Sequence, residues 1–378
     1  MKLTRLTDPD KIDFTRELNG DVWKGHLSVP DYQFRDRLLA KSPMCQDMRI
    51  YVVTESEDIN STDDIMSSVE IIIRDGYKYN SKDGKVEKTL VKNGCIGGVF
   101  TNPKFRGKGI AKFMIDELNK ICDEEDLEFV ILYSEVGDYY SRCGYESFHV
   151  PIRTRYIDDY EAKIFNGSEK YSVDGFDVEL IDYQGFKEVM DLHNEEEDKR
   201  IMAMNDGKSR VVFAPSEEVV NWFHLRIKYF CYNLVSSPEA LKTKAFDDII
   251  EEFTSYEPKK LGIKVSKNGE LLGYVIWTFE LKMEEEPIFS CKILHMFSKG
   301  SSKTRSGSDF TIKKLLSDLT IDYMKYSKKH FKVASVSVWT SDVDEAFGGE
   351  VQENSSLSAI RFKNEKSIWE NNNKLPWF

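Results

Sequence analysis

A strand, a glycine-bearing loop and a helix in direct succession constrain this chain more than any other feature. Gly94–Thr101 (GCIGGVFT) has a strand pattern and Asn102–Gly109 (NPKFRGKG) is a loop. Ile110–Cys122 then carries apolar residues at Ile110, Ala111, Phe113, Met114, Leu118 and Ile121, close to the helical period. Inside this unit lies Arg106-Gly107-Lys108-Gly109-Ile110-Ala111. At a strand-to-helix junction successive N–H groups converge, and the helix dipole adds partial positive charge. Gly107 and Gly109 let the backbone approach a ligand closely, and Ala111 keeps the first turn thin. The arrangement suits a diphosphate. It is not a Walker loop, which needs GK[ST], and it lacks the GxGxxG of a dinucleotide fold.

The elements that follow extend the pattern. Phe129–Tyr133 (FVILY) is nearly all apolar and reads as a buried strand; Val136–Cys143 reads as a short helix closed by Gly144. Upstream, Leu3–Leu6 reads as a strand. Pro9–Leu18 reads as a helix capped by Asp8, and Asp31–Leu39 as a second helix. Met48–Thr54 and Val69–Tyr79 are strands, the latter ending in an SKDG turn at 81–84. Residues 151–176 read as a connecting stretch. Beyond it the order begins again: a strand and helix near Glu179–Asn194, then three antiparallel strands (Leu261–Ser266, Leu271–Met283, Ile288–Phe297) about an Asn268-Gly269 turn. A helix at Phe310–Tyr326 and a strand at Val333–Trp339 complete it. The expected architecture is two mixed α/β (α+β) halves, 1–150 and 177–378, the second a diverged copy of the first.

Composition narrows the partners. The 378 residues are enough for two or three domains, and 40% hydrophobic with 31% charged residues fits a globular chain. The 53 basic and 65 acidic residues give a net charge of −12, which lacks the footprint of a nucleic-acid binder. No apolar run reaches the roughly 18–20 residues of a membrane span, and the N-terminus has no apolar signal region. Six scattered cysteines without a CxxC pair fit a reducing, cytoplasmic setting. The six histidines show no HExxH spacing, so no metal site is expected.

The R-x-x-G-x-A loop resembles the acetyl-CoA pyrophosphate loop of the GNAT acyltransferases. Tyr140-Ser141-Arg142-Cys143-Gly144-Tyr145 is similar to that family's second signature. More narrowly, Val130–Gly137 (VILYSEVG) resembles the LYS-IG stretch of the fungal lysine N6-acetyltransferases, with Val136 where Ile is usual. The resemblance implies a GNAT-like N-terminal domain and a second, degenerate GNAT-like C-terminal domain. It implies acetyl-CoA as cosubstrate, held by Val99, Phe100, Thr101, Arg106, Gly107, Lys108, Gly109, Ile110 and Ala111. It implies free L-lysine as the small-molecule amine acceptor. A polyamine or protein lysine, or a non-catalytic CoA-binding scaffold, are the competing readings.

Amide formation from a thioester needs a positioned carbonyl, a neutral amine and a proton for the departing thiolate. Tyr140 is the candidate acid, because a phenol with a pKa near 10 is protonated at neutral pH; its other reading is a packing aromatic among Tyr139 and Tyr145. A lysine side chain is neutral in only about one molecule in a thousand at pH 7.4, so a base is needed. Gly94–Thr101 contains no Asp or Glu. Glu135, acting through water, and the α-carboxylate of Phe378 are the candidates. Trp23, Ser134 and Trp339 are the candidate acceptor-pocket residues, the two tryptophans being equally suited to core packing. In the second half, Ser298–Asp309 stands where the CoA loop would be, but it has no tight glycine turn. One CoA per chain is expected, with the second half closing the acceptor pocket.

Overall fold

The Asp8 side chain accepts from the Asp10 amide, and Pro9 takes the first helical position, so α1 starts where the sequence directs. This is a computed structural model of the chain. It describes residues 1–378 except 57, 83–84, 159, 205, 236–243, 255, 300–306, 344 and 378. The first half runs β1 (Lys2–Leu6), α1 (Pro9–Trp23), α2 (Val29–Leu39), β2 (Met48–Thr54), β3 (Ser67–Lys82), β4 (Lys85–Thr101), α3 (Ile110–Glu124), β5 (Phe129–Ser134) and β6 (Glu146–His149). Next come β7 (Ile152–Tyr156), β8 (Lys170–Val173), β9 (Phe176–Ile181), α4 (Phe186–Met202), β10 (Arg210–Phe213), α5 (Glu217–Val235) and α6 (Phe246–Thr254). The chain continues through β11 (Gly262–Lys267), β12 (Glu270–Met283), β13 (Pro287–Ser298), α7 (Gly307–Ser327) and β14 (Val333–Trp339). It ends with β15 (Glu350–Gln352), β16 (Leu357–Phe362) and β17 (Ile368–Trp369).

The two halves share a plan. One sheet has the order β1-β2-β3-β4-β5-β16-β6, with β10 and β17 joined beside β3; the other runs β15-β7-β14-β13-β12-β11-β9-β8. In each sheet one parallel pair, β4 with β5 and β13 with β14, brackets a crossover helix, α3 or α7. Asn268 and Gly269 both adopt positive φ, 53° and 80°, which makes the expected two-residue hairpin between β11 and β12.

The stretch 151–176, read as a connector, contains β7 and β8. β7 does not pair with the adjacent β6. It lies between β14 and β15 in the second sheet, while β16 of the second half lies between β5 and β6 in the first. The halves are interlaced: β7, from the stretch between them, sits in the second sheet, and β10, β16 and β17 of the second half join the first. The SKDG turn falls partly on residues outside those described.

Apolar burial explains why these elements stay together. The buried stripe of α3 runs through Ile110, Met114, Ile115, Leu118 and Cys122, with Phe113 and Ile121 half-buried. It covers one face of the first sheet through Val130, Leu132, Tyr140 and Tyr145. The opposite face meets Trp339 and Trp377 over Cys95, Phe129, Ile131 and Ile360. The largest cluster joins Leu27, Tyr32, Leu38 and Leu39 of the first half to Val220, Trp222, Phe223 and Ile227 of α5. Both halves therefore share one core.

Candidate active site

The loop after β4 is held from behind. Asn102 accepts from the Lys104 amide and donates to the Ile65 carbonyl, and Pro103–Phe105 form a 3₁₀ turn. Arg106 Nε donates to the Thr101 carbonyl at 3.2 Å, and its guanidinium lies 5.7 Å from the Phe100 ring centroid. Lys108 Nζ lies 5.3 Å from the Phe105 ring. Gly107 and Gly109 sit at φ +76° and +77°, a conformation L side chains resist, and a Cβ at either would face open space. Gly109 is the N-cap of α3 and no side chain caps it, so the leading amides, Ile110 and Ala111 included, stay open. Residues 106–109 are exposed while Ile110 is buried. This cradle fits a diphosphate group. Ala111→Glu is expected to lower acetyl-CoA affinity at least about 100-fold in a folded protein, since a first-turn acid favours the helix yet repels phosphate. Calorimetric titration checks this, and unchanged affinity would overturn the loop assignment.

Beyond the loop the sheet opens. The parallel ladder of β4 and β5 runs from Asn93↔Phe129 to Ile96↔Leu132 and stops there. Residues 97–101 and 133–134 diverge. On the other side of β4 the register with β3 jumps from Ser68↔Phe100 to Glu70↔Gly97, so β4 carries one extra residue. Gly98, at φ +57°, absorbs the bulge. Val99, Phe100 and Thr101 border the opening. Ser67 Oγ donates to the Phe100 carbonyl and lies 3.1 Å from Thr101 Oγ1. Trp23 stands edge-on to Phe100, with centroids 6.0 Å apart.

At the end of β5, Ser134 Oγ donates to the Gly137 carbonyl and accepts from the Val136 amide, shaping the turn into the next segment. That segment, Gly137–Cys143, is 3₁₀ rather than α-helical, and Gly144 closes it at φ 87°. Tyr140 is buried between Tyr139 and Tyr145, at centroid distances of 5.3 and 6.2 Å. Burial pushes its phenol above the ordinary value, so it holds its proton at neutral pH. Glu135 is exposed. Trp339 is buried and stacks on Tyr133 at 5.6 Å, away from Trp23. Phe378 lies outside the described residues.

A charged cleft lies between α1, α2, β3, β4 and α5. Trp23 lines it, together with Arg16, Arg35, Asp36, Glu70, Gly98 and Arg226. Arg16 pairs with Asp36 at 2.8 Å and with Glu70 through a short ion pair. Arg35 donates to Asp36 at 2.7 Å. Glu70 was not singled out from the sequence, yet it stands beside the bulge: a Cβ on Gly98 would lie 3.0 Å from Glu70 Cγ and Cδ. Burial raises its carboxyl above the usual range, opposed by Arg16. Residues 94–101 of β4 carry no acid, whereas this one comes from β3 across the ladder, opposite Gly97. The available signal was a lone acid inside the apolar strand SSVEIII.

The second sheet has an equivalent opening, where the β13–β14 ladder ends at Lys292↔Ser337. The chain's own C-terminal segment lies across it. Asn373 Nδ2 is 3.1 Å from His295 Nδ1, which faces Asp342 at 2.9 Å, and Ser341 Oγ donates to the Asn372 carbonyl. Most of the Ser298–Asp309 loop lies outside the described residues.

Two halves built on one plan, each with a splayed parallel pair beside a crossover helix, define a double GNAT-type acyltransferase fold. Residues 5–148 match the family described as acetyltransferase (GNAT) domain. Residues 165–378 match the LYC1 GNAT-like C-terminal domain, and the chain belongs to this family of GNAT-type N-acetyltransferases. The uncharacterized protein YGR111W of Saccharomyces cerevisiae is 27% identical, over 98% of this chain and 96% of its own length. A protein of Yarrowia lipolytica named lysine acetyltransferase is 28% identical over 38% of this chain and 40% of its own. The fold is similar to that of Saccharomyces cerevisiae N-myristoyltransferase solved with bound myristoyl-CoA. That likeness has a TM-score of 0.53 and 10% identity, covering 99% of this chain and 83% of the other.

Proposed function

We propose that the protein transfers the acetyl group of acetyl-CoA to the side-chain amine of free L-lysine. The observation that carries this reading is the juxtaposition of Glu70 with the Gly98 bulge, at the point where a charged cleft meets the splayed strands. The partial match to the Yarrowia protein named lysine acetyltransferase supports the acceptor. We assign 1–150 to cosubstrate binding and 177–378 to closing the acceptor pocket.

The roles divide by position. Residues 106–111 hold the diphosphate with backbone amides and two cationic side chains. Backbone groups of Val99 and Thr101 hold the pantetheine arm along the open edge of β4, and Phe100 backs it. Glu70 takes a proton from the entering ammonium, in preference to the exposed Glu135 or the Phe378 carboxylate, because it is buried beside the bulge. The neutral amine attacks the thioester carbonyl. Tyr140 gives its proton to the departing sulfur, and Trp23 walls the acceptor cleft, which Ser134 and Trp339 do not line. Bound acetyl-CoA supplies the activated acyl group.

Thiol release from acetyl-CoA, followed with lysine, spermidine and a histone-tail peptide in turn, tests the reading. Release with free lysine well above the other two is the expected result. Release with spermidine or the peptide alone would overturn the acceptor, and CoA binding without turnover would overturn catalysis.

A further inference from the structure

The cleft holds three arginines, and only two of them are neutralised. Arg16 is paired with Asp36 and Glu70; Arg35 is paired with Asp36 and also donates to the Trp23 carbonyl. Arg226, on α5, differs. No hydrogen bond or ion pair reaches its guanidinium among the described residues; it has only the Trp222 ring, 5.8 Å from its central carbon. Its nitrogens are not sealed in the protein but open onto the cleft. Burial and the neighbouring Arg35 push its pKa down to about 10, with Asp36 and Glu280 opposing from beyond contact distance. A half-buried guanidinium without a protein partner is open to a ligand, and a carboxylate is the group its fork matches, through two parallel N–H···O bonds.

The cleft is also ordered by charge. Glu70 is influenced by Arg16, Asp36 and Arg35, whereas Arg226 is influenced by Arg35, Asp36 and Glu280. All four side chains, Glu70, Arg35, Asp36 and Arg226, line the same cleft, and Asp36 is held by Arg35 and Arg16. A molecule in the cleft would therefore meet both the Glu70 carboxylate and the open Arg226 guanidinium.

We propose that Arg226 binds a carboxylate of the acceptor, so that the enzyme selects amines that carry a carboxylate several bonds from the reacting nitrogen. The inference rests on the acetyltransferase reading above and names the feature of the acceptor that the cleft reads, the carboxylate that lysine shares with other ω-amino carboxylates. Arg226 is then a specificity-determining residue supplied by the second half to a site whose cosubstrate loop belongs to the first.

Three probes separate the possibilities. Lysine has both features; 6-aminohexanoate keeps the carboxylate and the reacting amine but lacks the α-amine; cadaverine keeps both amines and lacks the carboxylate. The unaltered enzyme is expected to use lysine and 6-aminohexanoate with specificity constants at least about 10-fold above cadaverine. In Arg226→Gln that preference should fall by about 10–100-fold, the range expected for hydrogen bonds to a charged group. Arg226→Lys, with charge but no fork, should fall between. CoA affinity reports that each variant is folded. Cadaverine used as well as lysine by the unaltered enzyme, or an equal loss for all three amines in Arg226→Gln, would overturn the proposal while leaving amine acetylation intact. If none of the three is acetylated, the lysine reading fails by itself. Calorimetric binding of 6-aminohexanoate to the CoA-loaded protein then decides. Binding that Arg226→Gln weakens at least about 10-fold upholds carboxylate recognition; no binding, or equal binding, overturns it.

Discussion

Replacing Glu70 by glutamine is expected to lower kcat for acetyl transfer by about 10²–10⁴-fold, the usual contribution of a positioned general base, while CoA still binds. The substitution is isosteric, and the amide oxygen can still accept from Arg16, whose second partner Asp36 remains in place at 2.8 Å. What is lost is the ability to take a proton. The pH profile separates this from a packing effect. Burial raises the Glu70 carboxyl, so the basic form grows as pH rises through that value. Activity of the unaltered enzyme should therefore decline as pH falls through it. In Glu70→Gln that dependence should vanish, leaving only the titration of the amine. An unchanged kcat would move the base to Glu135 or to the terminal carboxylate.

The second large effect concerns stability. Trp377→Ala is expected to destabilise the protein by about 3–5 kcal/mol, the range for removing a buried aromatic. Trp377 is 3% exposed. It packs against Tyr133 at 5.7 Å and Trp369 at 6.0 Å, and its Nε1 donates to the Asn373 carbonyl. The preceding Pro376 carbonyl accepts from Arg74, a buried guanidinium whose Nε and Nη1 have no other partner among the described residues. Loosening the tail therefore costs packing and strands a charge. Chemical denaturation gives the difference directly; a loss below about 1 kcal/mol would show that the tail is draped over the sheet rather than packed into it.

The parts legible in the sequence are those whose cause is local. The R-x-x-G-x-A loop needs two glycines at positive φ and an open helix start, and all three requirements lie within six consecutive residues. The Asn268-Gly269 hairpin and the Asp8 cap are equally local. The interlacing of strands was not legible. Ile152–Tyr156 (IRTRY) has little apolar pattern of its own, and its ladder partners lie at 335–339 and 350–352. Glu70 and Arg226 were missed for a related reason. Each sits inside an otherwise regular strand or helix, and the role proposed for it depends on the fold setting α5 against α1, α2 and the bulge at Gly98. The short turn that carries Tyr140 was legible because Gly144 closes it locally.

The interlacing of β7 and β16 also has a consequence for biosynthesis. The strand that separates β5 from β6 is Leu357–Phe362, so it leaves the ribosome long after both of its neighbours, Phe129–Ser134 and Glu146–His149. Until then the nascent first half presents the unpaired edge of β5, the strand that forms one wall of the splay. The early-made β7 likewise waits for Val333–Trp339 before it has a neighbour. Vectorial folding, half by half, is thus closed to this protein. The sheet beside the glycine loop is completed only once Leu357–Phe362 has been made, and nonsense truncations ahead of that strand should abolish cosubstrate binding as surely as lesions within the loop. Holding two incomplete sheets apart from other chains during that interval is a task the fold leaves to the cell's chaperones.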